Sequence, residues 1–300
     1  MQKIPDFLID LLKKQYEEKN VENILNGYRI NRKTTLRVNT IKSNTNKIKV
    51  ELDKLNINYK EVLWSDNALI IENATEKEIQ SMEIYENGEI YLQNLSSMLP
   101  PIILNPQPNT DILDMAAAPG GKTTQIAALT QNKSHITACE MNFSRAERLK
   151  YNINKQGATC IYVMQSDSRK IDNFFSFDSI LLDSPCSGSG TLNFNYFNSI
   201  QYFTKQLIEK STKTQISLLK KAINILKPGK EMVYSTCSIL CNENEDIVKQ
   251  ILKQENAEIV PIDFKGIESL PRLPVKIDGT LCICPDELYE GFFVAKIRKK

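Results

Sequence analysis

The sequence predicts an α/β protein, a doubly wound Rossmann-like sheet preceded by a small α+β domain. Three observations carry this. From residue 110 onward, apolar β-rich runs alternate with helix-like segments. A glycine-rich turn, APGGK, follows the first of these runs. Carboxylates stand at the ends of the runs, where sheets of this kind bind their ligands.

Taken in order, Ile4, Phe7, Leu8, Leu11 and Leu12 recur at helical spacing, so the chain opens with an amphipathic helix. TTLRVNT then reads as a strand, KIKVELDKL as a helix, and INYKEVLW and ALIIEN as strands. Strand, helix, strand, strand is most of a split βαβ unit, a module that can present a sheet face to RNA. It is assigned to residues 1–75, and a helical connector over 76–109, with EIYLQNLSSMLPPIIL at its end, leads into residues 110–300. There the strands are TDILDM, SHITACE, ATCIYVM, FDSILLD and EMVYSTC, with helices starting near Lys122, Ser144, Lys205 and Glu243. Such alternation means a parallel sheet covered on both faces. Its strand ends carry Asp114, Glu140, Asp167, Asp183 and Cys237.

Composition narrows the function classes. In the 300 residues no run of 18 apolar residues occurs, and Asp6 and Asp10 interrupt the N-terminus, so a cytoplasmic protein is expected. Seven cysteines without an export signal argue for free thiols. A single histidine, His135, excludes histidine triads and histidine-rich metal sites. Net charge is +2, but residues 1–60 carry 13 Lys and Arg against 7 Asp and Glu, and residues 61–100 carry 1 against 8. The stripe Arg29, Arg32, Lys33, Arg37, Lys42, Lys47 and Lys49 is suited either to phosphate backbones or to a plain solvated face.

The glycine turn admits two readings. Ala116 to Thr123 fits the relaxed phosphate loop, with Lys122-Thr123 in place and Ser179 to Asp183 imitating a strand that ends in a magnesium-binding aspartate. Against that reading, Ala116 stands where glycine is favoured, and Pro119 removes an N–H from a loop whose purpose is to offer them. A nucleoside cofactor such as S-adenosylmethionine instead requires an acid about 20 residues on, at the second strand's end. Glu140 meets that requirement, and Asp167 ends the third strand as an acceptor for an adenine amino group. A nicotinamide dinucleotide would pass the same ribose test.

The fourth strand ends in Asp183-Ser-Pro-Cys186-Ser-Gly-Ser-Gly190 and the fifth in Tyr234-Ser-Thr-Cys237-Ser238. Neighbouring strands bring both thiols and the Asp183 carboxylate over one cleft. A structural zinc on Cys237, Cys241, Cys282 and Cys284 is the competing arrangement, on spacings unusual for zinc.

LDMAAAPGGKT, DSPCSGSGT, YSTCS and the closing GFFVAKIRK resemble the signature blocks of the NOP/Sun (RsmB/RsmF-like) family of RNA (cytosine-5)-methyltransferases. The resemblance runs from about Leu36 to the C-terminus and includes LRVNTIK and QNLSSML. It implies a class I methyltransferase sheet with an RRM-like N-terminal domain, S-adenosylmethionine as cofactor and RNA as partner, ribosomal in preference to transfer RNA. Carbon 5 of cytosine is a poor nucleophile, so a thiolate must first add to carbon 6. By the resemblance that thiolate is Cys237, Cys186 assists its release, and Asp183 donates to the ring nitrogen, which requires a proton on its carboxyl. Ala116, Ala117, Ala118, Pro119, Gly120, Gly121 and Lys122 would cradle the cofactor, Glu140 its ribose and Asp167 its adenine, with Asp183 bordering both ligands. DNA cytosine methyltransferases use the Pro-Cys cysteine as nucleophile, so the second thiol in STCS argues for RNA. A monomer without metal or membrane contact is expected.

The sequence departs from the family pattern in TLNFNYFNSI, which carries no basic residue between Gly190 and Lys205. The chain ends at Lys300, directly after the last strand, so substrate choice is expected to rest on residues 1–100 and the cleft rim. A phosphate-loop NTPase and a non-catalytic RNA-binding assembly factor with this fold are the alternatives.

Overall fold

The computed structural model describes residues 4–195 and 198–300; Tyr196 and Phe197, in the segment after Gly190, lie outside the described residues. Helices α1 (Asp6–Gln15) and α2 (Glu18–Gly27) open the chain. Next come β1 (Thr35–Val38), α3 (Thr45–Lys54), β2 (Tyr59–Val62), β3 (Ser65–Ile71), α4 (Glu76–Gln80), α5 (Glu83–Glu86) and β4 (Ile90–Leu92). The four strands form an antiparallel sheet of order β2-β3-β1-β4, in which Leu36 of β1 faces Leu69 on one side and Leu92 on the other. The fourth strand falls within the stretch expected to be a helical connector. With three residues it is too short for alternation to show in sequence, and pairing with β1 is what makes it a strand.

Helix α6 (Leu95–Leu104) leads to the second sheet, formed with β5 (Asp111–Asp114), α7 (Gly121–Leu129), β6 (His135–Cys139), α8 (Phe143–Gln156), β7 (Ile161–Met164), β8 (Phe177–Asp183), α9 (Asn198–Gln201), α10 (Lys205–Ile225) and β9 (Leu226–Thr236). Helix α11 (Glu245–Leu252) and the strands β10 (Ala257–Val260), β11 (Arg272–Leu273), β12 (Leu281–Ile283) and β13 (Phe292–Lys299) complete it. The order is β11-β12-β13-β9-β8-β5-β6-β7, with β10 also on β13. Strands β5 to β9 are mutually parallel and β13 is antiparallel to β9. Strand order reverses at β5, and this opens a crevice at the carboxyl ends of β5 and its neighbours. Asp183 of β8 pairs with Ser235 of β9, so the residues just beyond each strand lie side by side.

The amphipathic opening has a different place from the one expected. Leu8, Leu12, Ile24 and Tyr28 are fully buried in the same cluster as Ile180, Leu219, Tyr234 and Phe293, so α1 and α2 complete the core of the large sheet rather than the small one. Tyr28 stacks edge-on against Phe194 at 5.3 Å, and Phe7 lies flat on Phe203 at 5.5 Å. Among the described residues no helix is long and apolar enough to cross a membrane.

Because this core is shared, Leu12→Ala should cost about 2–5 kcal/mol and lower one common unfolding transition of the large sheet, as read by calorimetry. Loss confined to a separate minor transition would contradict the shared core.

Candidate active site

The loop after β5 is held by its own backbone. Ala117 N–H donates to Cys139 O at 2.9 Å, the carbonyl of Ala118 accepts from Arg145 Nη2 at 2.9 Å, and that of Pro119 accepts from Asn152 Nδ2 at 2.8 Å. Gly120 has φ +111°, and a Cβ there would lie 2.9 Å from Leu149, so small residues let α8 close on the loop. Arg37 reaches in from β1, donating to Gln93 Oε1 at 3.0 Å and Thr124 Oγ1 at 3.1 Å.

Arg37 is thus a buried strut between the sheets, and much of the basic stripe is similarly occupied. Lys42 Nζ donates to Asn87 O and Lys155 O, Lys47 pairs with Glu89 at 2.7 Å, and Lys49 pairs with Glu61. The stripe is therefore not a continuous phosphate-binding face.

Two cavities flank Ala116. One, of about 530 Å³, has apolar walls including Met115, Cys139, Pro185 and Leu218, with Glu140 and Asp167 among its lining. Glu140 accepts from Asn142 N–H at 2.8 Å. Asp167 is clasped by Arg169, whose Nη2 lies 2.6 Å from Oδ2, and that hydrogen bond lowers its pKa. The other cavity, of about 240 Å³, is lined by Ala116 to Pro119, Gly121, Lys122, Asp114 and Asp183. Apolar walls ending in two carboxylates suit a nucleoside, and the second cavity gives its reactive end access to Asp183.

Lys122 Nζ lies 2.8 Å from Asp183 Oδ2, and Ser235 Oγ donates to Asp183 Oδ1 at 2.7 Å. Burial works against the Lys122 charge, but Asp183 more than offsets it and holds the Lys122 pKa above its ordinary value. The nitrogen also sits 5.4 Å from the Phe292 ring centroid. The lysine turns toward β8, not outward over a phosphate loop. Both Asp183 oxygens thus face donors, Oδ2 the Lys122 ammonium and Oδ1 the Ser235 hydroxyl.

Cys186 Sγ and Cys237 Sγ are 3.0 Å apart. The hydrogen bond to Cys237, followed by burial, raises the Cys186 pKa well above that of a free thiol, and either sulfur of the pair can be the donor. The arrangement rests on residues the sequence did not single out for it. Glu243, fully buried, accepts from Ser187 N–H at 2.7 Å, Ser187 Oγ at 2.5 Å and Ser238 Oγ at 2.7 Å. Ser189 Oγ meets Ser238 Oγ at 2.7 Å, Gly190 N–H donates to Cys237 O at 3.0 Å, and Tyr28 OH donates to Ser189 O at 2.6 Å. A Cβ at Gly190 would lie 1.9 Å from Gly291 O, which pins that turn to the start of β13. Among the described residues no cluster of His, Cys, Asp or Glu has the geometry to hold a metal, and Cys282 instead lies 3.8 Å from Tyr16 OH.

A family model described as 16S rRNA methyltransferase RsmB/F matches residues 101–298. A second, the RsmF/B-like ferredoxin-like domain, matches residues 4–78. The chain is 33% identical over 276 residues to ribosomal RNA small subunit methyltransferase F of Shewanella amazonensis, covering 88% of this chain and 58% of that protein. It is 33% identical over 291 residues to the like-named protein of Vibrio parahaemolyticus, covering 93% of this chain and 60% of that one. The chain thus spans less than two thirds of the length of these relatives. Among solved structures, a methyltransferase homologue from Pyrococcus horikoshii is 30% identical, with a TM-score of 0.81 over 99% of this chain and 100% of that one. NSun6 from the same organism shares the fold at 23% identity, with a TM-score of 0.87 over 98% of each chain.

Asp114 offers a test of the loop's electrostatics. Burial raises its pKa from 3.8 to about 6, against the lowering effect of the Thr123 hydroxyl at 2.7 Å and the Ala116 N–H. A folded-state pKa above the unfolded one stabilises the protein at low pH, and that contribution, about 3 kcal/mol, is lost as pH rises from about 4 to 6. Asp114→Asn should remove this slope, so the difference in unfolding free energy between wild type and variant should change across that window. A pH-independent difference would contradict the burial argument.

Proposed function

The chain belongs to the RsmB/F family of 16S rRNA methyltransferases, and from that premise we propose that it methylates carbon 5 of a cytosine in small-subunit ribosomal RNA through a covalent adduct on Cys237. The observation that carries the reading is the thiol pair, 3.0 Å apart, beside the Lys122–Asp183 ion pair. Cys186 lies in hydrogen-bond contact with the Cys237 sulfur, and charge on that sulfur supports the proton of Lys122, so a thiol donor and an ammonium both face the proposed nucleophile.

The residues present fit S-adenosylmethionine. Glu140 and Asp167, in the 530 Å³ cavity, would hold its ribose and adenine, and Ala116 to Lys122 would hold the portion that reaches Asp183. When bound, it supplies an electrophilic methyl group. The chain's own residues supply the rest. A cytosine extruded from its stack enters beside Asp183, at a cost of a few kcal/mol in a duplex and less in a loop. The Cys237 thiolate forms a bond to carbon 6, and the electron pair moves toward carbon 5 and the ring nitrogen. The Lys122 ammonium lends a proton through the Asp183 carboxylate, 2.8 Å away, to the ring nitrogen, and takes it back by the same route when the ring double bond re-forms. Once carbon 5 carries the methyl group and has lost its proton to a base, the carbon–carbon double bond re-forms and Cys237 leaves as thiolate. Cys186, 3.0 Å away, would give its S–H to that departing sulfur.

Cys237→Ala should bind the cofactor and form no adduct with RNA; an adduct that survives would move the nucleophile to Cys186. Cys186→Ala should remain attached to RNA through denaturing electrophoresis, because the leaving sulfur has lost its donor. Simple loss of RNA binding by Cys186→Ala would contradict its role.

A further inference from the structure

Tyr91, Leu92, Gln93, Asn94 and Pro119 line the cavity at Asp183 and also a larger groove, of about 850 Å³, that opens from it to the surface. Across this groove lies one face of α8, where Arg148, Tyr151, Asn152 and Lys155 recur at helical spacing. The helix's other face, with Ala146, Leu149 and Ile153, is buried in the core. A second helix face turned toward a neighbouring domain would be apolar if the domain packed on it. This one carries two cations and a tyrosine that is 60% exposed. Lys155 Nζ lies 3.8 Å from the ring centroid of Tyr85, which also lines the groove.

Arg32 and Lys33 line the groove too, and Arg32 Nη2 is buried without a hydrogen-bond partner. Of the two carboxylates in the lining, Glu76 and Glu290, burial pushes the latter toward its neutral form. Fixed contacts set the groove's shape. Asn39 Nδ2 donates to Gln156 O at 2.8 Å, Gln156 Nε2 donates to Ile90 O at 3.1 Å, and a Cβ at Gly88 would lie 2.0 Å from Lys155 O.

We propose that this groove carries the single-stranded RNA flanking the target base, with phosphates on Arg148, Lys155 and Arg32 and a base stacked on Tyr151. The proposal rests on the RNA-methyltransferase reading above. It also answers the absence of basic residues between Gly190 and Lys205, since the cations come from α8 and from residues 32–33 on the other side of the same cleft.

The test combines two measurements. The Cys186→Ala protein, trapped on a small-subunit ribosomal RNA transcript partly substituted with 4-thiouridine, is irradiated and the cross-linked peptides are sequenced. In parallel, Arg148→Glu/Tyr151→Ala in the otherwise wild-type chain is assayed for methyl transfer. Cross-links should fall on 148–155, Tyr85 or Tyr91. The double variant should raise KM for RNA at least tenfold with kcat nearly unchanged, and should flatten the dependence of log affinity on log salt by about 0.7 per lost phosphate contact. Both substitutions are at exposed positions, so an unchanged thermal midpoint separates this from misfolding. An adduct that forms normally, with cross-links elsewhere and KM unmoved, overturns the groove and leaves the methyltransferase reading intact. No adduct on any RNA overturns both.

Discussion

A buried carboxylate joins the two turns that carry the thiols. Glu243 accepts three hydrogen bonds, two from Ser187 and one from Ser238, the residues immediately after Cys186 and Cys237. Burial raises its pKa and the serine donors counter this, so the group is held between the cost of desolvation and the loss of every partner if it moves. Two cysteines whose sulfurs must meet at 3.0 Å could not be aligned by the sheet alone, because each lies beyond the last paired residue of its strand. The network supplies what the ladder cannot. Tyr234 OH donating to Glu243 O at 2.6 Å, and Thr236 Oγ1 to Asn244 Oδ1 at 2.5 Å, extend it back into β9.

Other parts of the fold brace this clamp. The opening helices reach it through Tyr28 OH on Ser189 O, and through Tyr16 OH and Gln15 Nε2 on Ile239 O at 2.7 and 2.8 Å. The first sheet reaches the glycine turn through Arg37, a guanidinium that burial lowers to a pKa of about 10 and that Gln93 and Thr124 hold in place. Both N-terminal layers therefore brace the cleft, one behind the turn that carries Cys237 and one behind the glycine turn. The groove along α8 runs between that helix and the residues of β4 and the turn after it.

Much of this was legible in the residue order. Strands of four to eleven residues appear where the β-rich runs placed them, and helix starts fall within two residues of expectation at Lys122, Ser144, Lys205 and Glu243. Asp114, Glu140, Asp167, Asp183 and Cys237 stand at or just beyond successive strand ends because the doubly wound topology sends every parallel strand toward the same edge. Glu243 was legible only as a helix start, since a carboxylate in NENED looks the same whether solvated or buried. The basic stripe stayed open between two readings for the converse reason: sequence shows a charge and not its partner, and Arg37, Lys42, Lys47 and Lys49 each have one within the protein. The opening helix was recognisable, but its destination was not, because an amphipathic face does not say which core it completes.

The central claim is that carbon 5 of cytosine is the atom substituted. It is tested most directly with RNA carrying tritium at carbon 5 of its cytosines, by counting tritium released to water against methyl groups transferred from labelled S-adenosylmethionine. Substitution at carbon 5 releases one tritium for each methyl group gained. Methyl transfer with the tritium retained would place the reaction at another atom and leave the two thiols without the role argued for them.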